Sequence, residues 1–209
     1  DNWRRLIFHL PYAYQARRMF SEIFYAEAKK RGDHDVLIQE LGQTEPLIHQ
    51  FEEDSAYQEA FSKFLTAITK TERYKRFIAE KIEKGERASS LMGNLYTASI
   101  FLSLMSTLAI DLDHDIELTD ARIGFFAYGS GSKSKVFEAV VEENWKTSIE
   151  KVALFETLEQ ATAIDFSTYE KLHKKELKQS VIAPKNEFYL DKIEKGNPVL
   201  VGARYYKFS

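Results

Sequence analysis

The chain has 209 residues, of which 44% are hydrophobic and 13% aromatic, enough to build the core of one or at most two domains. Charged residues make up 29% and the formal net charge is -3, so the composition does not indicate binding to nucleic acid or to an anionic membrane. The longest apolar stretch, residues 100–110, contains three hydroxyl side chains and is too short to span a bilayer.

The apolar pattern in the first half of the chain predicts one strand followed by helices. An apolar run at residues 6–10 has the character of a buried strand and is stopped by Pro11. Apolar side chains recur at helical spacing over residues 12–30, and Gly32 is placed to end that helix. A short apolar segment covers residues 36–41, and two amphipathic helices are expected at residues 55–68 and 74–82.

The second half of the chain predicts strands alternating with helices. An apolar helix at residues 95–108 precedes two strands, 123–128 and 134–141, which flank a glycine-serine turn. Helices are expected between residues 145 and 161 and between 167 and 178, and strands at 188–193 and 200–208 close the chain. Strands mixed with helices predict a layered α/β fold, and we expect a single domain over residues 1–209.

Two absences are informative, and the second indicates that the chain is a piece of a longer protein. It contains no cysteine, which leaves no disulfide framework, no thiolate metal site and no thiol nucleophile in this chain. It does not begin with Met, and no signal-peptide pattern precedes the first apolar run. No metal site is predicted, and we expect an intracellular, cytoplasmic protein with no nucleic-acid or membrane partner.

His9 is the first candidate for chemistry. It lies between the first predicted strand and Pro11, and the ends of strands in α/β sheets are where functional sites collect. A histidine held beside a rigid turn suits acid-base or hydrogen-bonding work. A histidine satisfied within the core explains the pattern about equally well.

Asn94 and the glycine-serine turn are the next candidates. Asn94 precedes the apolar helix where an N-cap belongs, and capping is the simpler explanation; the functional one is an amide that donates to a carbonyl oxygen. The turn Gly129-Ser130-Gly131-Ser132 exposes backbone N–H groups that can bind an oxygen, although a tight hairpin needs the same glycines. Its spacing matches neither a P-loop nor a nucleophile elbow.

The pair Arg17-Arg18 lies on the first predicted helix, eight and nine residues after His9. Arginine side chains near a site could bind the phosphates of a cofactor tail. Most such pairs belong to a solvated helix face, and both interpretations stay open on the sequence alone.

Taken together, these segments resemble hydroxymethylglutaryl-CoA synthases. The segment IFHLPYAYQARRMF is similar to the one bearing the family's catalytic histidine, and GNLYTASIFLSLMSTLA to its Gly-Asn-aliphatic-Tyr-Thr segment. RIGFFAYGSGSKSKVF is similar to its Tyr-Gly-Ser-Gly segment, and FYLDKIEKGNPVLVGARYYKF to the end of the microbial enzymes. The resemblance runs from about residue 5 to the end of the chain.

The resemblance implies the C-terminal part of a thiolase-like αβα fold, with a mixed sheet and a buried helix, incomplete without an upstream half. It also implies a Claisen-type condensation of a cysteine-bound acetyl group with acetoacetyl-CoA, followed by hydrolysis. His9 would polarise and position the acetoacetyl group. The other implied contacts are Pro11, Tyr12, Asn94, Tyr128 and Ser130 with substrate, and Arg18 with CoA. Tyr14 departs from the pattern, because many relatives have a lysine there.

The nucleophilic cysteine and the glutamate base of this family lie upstream, so the resemblance implies that this chain alone is inactive. The expected partners are acetyl-CoA, acetoacetyl-CoA, the missing N-terminal half and a second copy in a homodimer, with no separate cofactor. The stretch 32–70 is longer and more charged than in the shortest relatives. Two alternatives stay open: a polyketide β-branching synthase that acts on carrier-protein substrates, and a non-catalytic acyl-CoA-binding module.

Overall fold

The computed structural model describes residues 3–129, 133–177 and 179–209. The chain divides into two compact units, Asp1–Ala161 and Thr162–Ser209. The single domain over residues 1–209 stays a prediction.

The first unit is built on a three-stranded mixed sheet in the order β1-β2-β3. Strand β1 spans Trp3–Phe8, β2 spans Arg122–Gly129 and β3 spans Lys133–Val140. Strands β1 and β2 are parallel, whereas β2 and β3 form an antiparallel hairpin. The three predicted strands are therefore present, although β1 begins earlier than predicted and ends before Leu10.

The two faces of the sheet bury separate apolar clusters, because side chains alternate along each strand. Leu6 and Phe126 face one cluster, whereas Ile7, Ile123 and Phe125 face the other. The first cluster includes side chains of five helices: α1 (Gln15–Met19), α2 (Ser21–Arg31), α3 (His34–Leu41), α4 (Asp54–Ile68) and α5 (Glu72–Lys81). The second includes side chains of α7 (Ser99–Asp113) and α8 (Trp145–Val152), and this helix-sheet-helix layering confirms the predicted fold class.

The predicted helix at residues 12–30 is two helices, α1 and α2. The break falls at Phe20, whose buried ring packs against Phe8, Phe77 and Phe126. Helix α2 ends at Gly32, which has a left-handed φ of 77° as its placement predicted. The apolar segment at residues 36–41 is helix α3.

Helix α6, Glu83–Met92, was not expected from the sequence. It packs along α7 so closely that a Cβ added at Gly85 would clash with Ser103 Oγ. The Ser106 hydroxyl accepts from the Ala88 N–H at 3.2 Å and donates to the Lys84 carbonyl at 2.6 Å, so α7 bonds directly to the backbone of α6. Glycine and serine are poor helix formers, and here they allow two helices to approach closely.

Helix α7 begins and ends about four residues later than predicted, after a 3-10 turn at Tyr96–Ala98. Its buried residues include both hydroxyl side chains and the apolar Ile100, Leu102 and Leu108, so the predicted buried helix is confirmed, although Phe101 is 60% exposed. The predicted helix between residues 145 and 161 is divided into α8 and α9 (Leu154–Glu159) at Ala153, which has a φ of 44°.

The second unit contains helix α10 (Phe166–His173) and an antiparallel hairpin of β4 (Phe188–Ile193) and β5 (Arg204–Phe208). The rings of Phe188 and Phe208 lie 5.1 Å apart across the hairpin. Strand β5 is shorter than predicted because residues 198–202 form turns. Among the described residues, no helix of either unit is long and apolar enough to cross a membrane.

Candidate active site

His9 lies at the carboxyl end of β1, beside the carboxyl end of its parallel neighbour β2. Its backbone N–H donates to the Phe126 carbonyl at 3.0 Å, the bond that continues the sheet beyond Phe8. The imidazole is half-buried, and its centroid lies 6.2 Å from that of the Tyr128 ring. The sheet therefore brings two of the predicted site residues, His9 and Tyr128, into contact.

The segment after His9 is bonded to the N-terminal end of helix α7. The Leu10 N–H donates to Ser99 Oγ at 2.6 Å, and both residues are buried. Ser99 is the first residue of α7, and the helix dipole there favours a developing negative charge. This hydrogen bond joins the segment that follows β1 to the first residue of α7.

Asn94 lies five residues before Ser99 and is not the N-cap of α7, so the capping interpretation was wrong. The chain makes a 3-10 turn before α7, and Asn94 Oδ1 accepts from the Tyr96 N–H at 2.8 Å. This turn holds Tyr96 at a φ of 52°, an unfavourable conformation for an aromatic residue. Asn94 is exposed, and its Nδ2 donates to no acceptor in the described part of the chain. The amide can therefore donate to a ligand while its oxygen holds the turn.

The hairpin of β2 and β3 extends beyond the end of β1. Gly129 pairs with Lys133 at the end of the hairpin, and Tyr128, 57% exposed, lies one residue before it. Ser130, predicted to contact substrate, lies outside the described residues together with the rest of the glycine-serine bend. Its role stays a prediction.

Pro11, Tyr12 and Arg18 follow His9 along the chain. Pro11 is half-buried, and the Tyr12 ring is 48% exposed, with the Arg18 guanidinium 5.4 Å from its centroid. Arg18 also borders a groove of about 410 Å³, together with Thr69 and Lys75. Within the described ranges no carboxylate pairs with Arg18, so its charge is available to a ligand.

Arg17 differs from Arg18, because it is bound to the protein itself. Its guanidinium donates to both carboxylate oxygens of Glu86, a residue only 1% exposed, and to Glu83 at 3.2 Å. Burial raises the pKa of the Glu86 carboxyl against the effect of Arg17, and the hydrogen bond to Glu86 raises the pKa of Arg17. The predicted arginine pair is therefore one structural ion pair and one exposed cation.

A second buried charge cluster fixes β1 to α7. Asp111 accepts from Arg5 Nε at 2.8 Å and from Arg5 Nη2 at 2.6 Å, and also from Lys84. Burial alone would raise the pKa of Asp111, but these hydrogen bonds outweigh it and hold that pKa below its ordinary value. The cluster joins the strand that carries His9 to the helix that begins at Ser99.

Sequence reasoning missed Ser99, Glu86 and Asp111. The signals were present: Asp111 is an acid within an apolar helix, and Arg5 is a base beside an apolar strand. A charge in such a position needs a partner, but a single sequence does not identify which one. In the described part of the chain, no three His, Asp or Glu side chains come together to hold a metal ion.

The family described as "Hydroxymethylglutaryl-coenzyme A synthase C terminal" matches residues 1–196. The chain belongs to this family. The hydroxymethylglutaryl-CoA synthase of Haloferax volcanii is 28% identical over 173 residues, which cover 83% of this chain and 39% of that protein. The chain therefore spans well under half the length of this synthase.

Solved synthases share the fold. The structure of MvaS in complex with 3-hydroxy-3-methylglutaryl coenzyme A superimposes with a TM-score of 0.64 at 20% identity, over 99% of this chain and 42% of that one. The HMG synthase of the curacin biosynthetic pathway, in complex with apo donor-ACP, gives a TM-score of 0.58 at 18% identity over 100% of this chain and 44% of that one. These synthase neighbours confirm the predicted thiolase-like fold.

Proposed function

We propose that the chain is the C-terminal part of a hydroxymethylglutaryl-CoA synthase that condenses an enzyme-bound acetyl group with acetoacetyl-CoA. The family match over residues 1–196 carries this proposal. An upstream half would supply the cysteine that holds the acetyl group and the glutamate that removes a methyl proton. The resulting carbanion attacks the ketone carbon of acetoacetyl-CoA, the ketone oxygen is protonated, and water releases the cysteine to give hydroxymethylglutaryl-CoA.

The residues at the strand ends and at the start of α7 supply the groups that this reaction needs from the C-terminal part. His9 would donate a hydrogen bond to the ketone oxygen and then a proton as the negative charge develops there. Asn94 would donate its free amide N–H to a thioester oxygen, close to the positive end of the α7 dipole. Pro11, Tyr12 and Tyr128 would border the acyl group, with Ser130 at the bend.

Arg18 would bind a phosphate group of CoA at the groove that it shares with Lys75. Arginine binds phosphate through several donors at once. In the described ranges no carboxylate forms an ion pair with Arg18, although Glu83 also lines this groove. CoA thioesters enter as substrates, so no separate cofactor is needed. Tyr14 carries no positive charge that could bind a phosphate. The Arg17 guanidinium carbon lies 5.1 Å from the centroid of the Tyr14 ring.

The exposed apolar side chains of the first unit are consistent with a chain that works as part of a larger assembly. Tyr96 is 77% exposed and Phe101 60% exposed, both close in sequence to Asn94. Apolar surface of this kind marks a protein interface. We propose that the N-terminal half and a second copy in a cytoplasmic homodimer cover it, and that the enzyme serves the mevalonate route to isoprenoids.

A polyketide β-branching synthase is the second candidate, favoured by the fold shared with the curacin-pathway synthase. It would run the same condensation on an acyl group carried by an acidic carrier protein. Comparing turnover of acetoacetyl-CoA with that of an acetoacetyl-carrier protein separates the two candidates. A non-catalytic acyl-CoA-binding module would bind the thioester and turn over neither.

The test of the main proposal is a condensation assay on the natural full-length protein, which follows CoA release from acetyl-CoA and acetoacetyl-CoA. We expect turnover there and none from residues 1–209 alone, because the chain has no cysteine. Condensation by residues 1–209 alone would contradict the proposed division of labour. An upstream coding sequence without a nucleophilic cysteine would contradict the enzyme assignment.

A further inference from the structure

The backbone around His9 is held by two bonds of different origin. On the N-terminal side, the His9 N–H donates to the Phe126 carbonyl at 3.0 Å and belongs to the sheet. On the C-terminal side, the Leu10 N–H donates to the Ser99 hydroxyl at 2.6 Å. Pro11 has no N–H to offer. Ser99 is therefore the one side chain that fixes the backbone directly after His9 within the described part of the chain.

Water cannot replace the hydrogen bond between the Leu10 N–H and the Ser99 hydroxyl. Leu10 is 1% exposed and Ser99 is 0% exposed, so a Leu10 N–H without its acceptor would stay buried and unsatisfied. A buried backbone donor without a partner is unfavourable, and the segment would shift to satisfy it. The residue carried by that segment is His9, so a shift there changes where the imidazole points.

Ser99 lies close in sequence to Asn94, the second proposed site residue. It is the first residue of α7 and directly follows the 3-10 turn that Asn94 holds through Tyr96. One hydroxyl thus joins the backbone after His9 to the first residue of α7, five residues after Asn94. A group that acts on a ketone must be placed to within a fraction of an ångström of its working position.

We propose that Ser99 is a positioning residue for the condensation step, through its hydrogen bond to the Leu10 N–H. This inference rests on the proposed synthase function. Ser99 contacts no reacting atom and acts only through His9. Its loss should slow condensation and leave acetylation of the upstream cysteine unchanged, because that earlier step does not use His9.

The experiment compares Ser99→Ala with Ser103→Ala and Ser99→Thr in the natural full-length protein. Ser103 is a buried serine four residues later in α7, and its side chain contacts α6 rather than the His9 segment. Ser99→Thr keeps the hydroxyl acceptor and serves as the conservative rescue. For Ser99→Ala we expect kcat for condensation to fall roughly 10- to 100-fold with acetylation unchanged, whereas the other two variants stay near the wild-type rate.

Three results would overturn the inference: unchanged condensation in Ser99→Ala, an equal loss in Ser103→Ala, or no rescue by Ser99→Thr. If the wild-type protein itself does not condense, the proposed function fails and the hydrogen bond is tested separately. Amide exchange in the natural full-length protein then decides: faster exchange at Leu10 in Ser99→Ala, but not in Ser103→Ala, supports the positioning bond. Unchanged exchange at Leu10 rejects it.

Discussion

Replacing Asp111 by Asn should destabilise the first unit more than any exposed substitution on the same helix. The carboxylate is fully buried and accepts three charge-assisted hydrogen bonds, two from Arg5 and one from Lys84. Asparagine has nearly the same shape but carries no charge and presents an N–H group to one of those donors. Removing one partner of a buried ion pair costs about 3–5 kcal/mol, because the remaining charges stay buried without compensation.

This cost is a large fraction of the stability of an ordinary domain, which is about 5–15 kcal/mol. For a chain of this size, 1 kcal/mol corresponds to roughly 2–4 °C in Tm, so the low end of the cost predicts a loss of about 6–12 °C. Thermal unfolding followed by circular dichroism measures it. The control is Asp113→Asn, an exposed acid at the last position of the same helix. If both variants unfold at the same temperature, the buried cluster is not stabilising and the reasoning is refuted.

The same substitution has a pH signature. Because hydrogen bonds hold the folded pKa of Asp111 below its unfolded value of about 3.9, the unfolded state binds more protons between those two values. The stabilisation is therefore present above about pH 4 and is lost as the pH falls through the folded pKa. The free energy of unfolding of the wild type should fall more steeply on acidification than that of Asp111→Asn, by up to about 1.4 kcal/mol per pH unit. Parallel curves would contradict the assigned direction.

Three further predictions concern packing and ligand contacts. Gly124→Ala places a Cβ 2.5 Å from the Trp3 ring and should lower the free energy of unfolding in urea by roughly 1–3 kcal/mol. Gly129→Ala, whose Cβ would lie 3.7 Å from the nearest atom among the described residues, should cost less, and equal losses would refute the packing argument. Arg18→Ala should raise KM for the CoA thioester with little change in kcat, and Arg18→Lys should restore part of the affinity. An unchanged KM in Arg18→Ala would show that Arg18 does not bind CoA. Asn94→Ala should remove about 2–4 kcal/mol of transition-state stabilisation and lower kcat accordingly. Asn94→Asp keeps the hydrogen bond to the Tyr96 N–H but loses the amide donor, so it should be no more active than Asn94→Ala. Full activity in Asn94→Asp would mean that only the turn matters.

The sequence predicted the parts of the fold that follow a regular apolar pattern. Strands β1, β2 and β3 and helices α4 and α5 lie close to their predicted positions. Apolar runs predicted β1 and β2, which are buried on both faces, and helical spacing predicted α4 and α5, which bury one face each. Strand β3 was predicted from its alternation, although its residues are exposed. Helix α6 was missed because it is buried through Gly85, Ala88 and Ser89, which carry little apolar signal. The break at Phe20 was missed because it depends on ring contacts with distant residues.

The sequence named candidate site residues, but it could not give their geometry. His9 was identified by its place between a strand and Pro11, and the structure shows which strand end lies beside it. The hydrogen bond between Leu10 and Ser99 joins residues 89 positions apart, so no local pattern could reveal it. The sequence alone does not distinguish Arg17 from Arg18. The structure does, because Arg17 is hydrogen-bonded to Glu86.

The most direct test of the proposed chemistry is the effect of His9→Ala on the two halves of the reaction in the natural full-length protein. Acetylation of the cysteine is measured by the initial burst with acetyl-CoA alone, and condensation by CoA release after acetoacetyl-CoA is added. His114→Ala, an exposed histidine at the end of α7, is the control. We predict that His9→Ala lowers condensation by about 10²–10⁴-fold and leaves acetylation near the wild-type rate. Equal loss of both steps, or full condensation without the imidazole, would contradict the account.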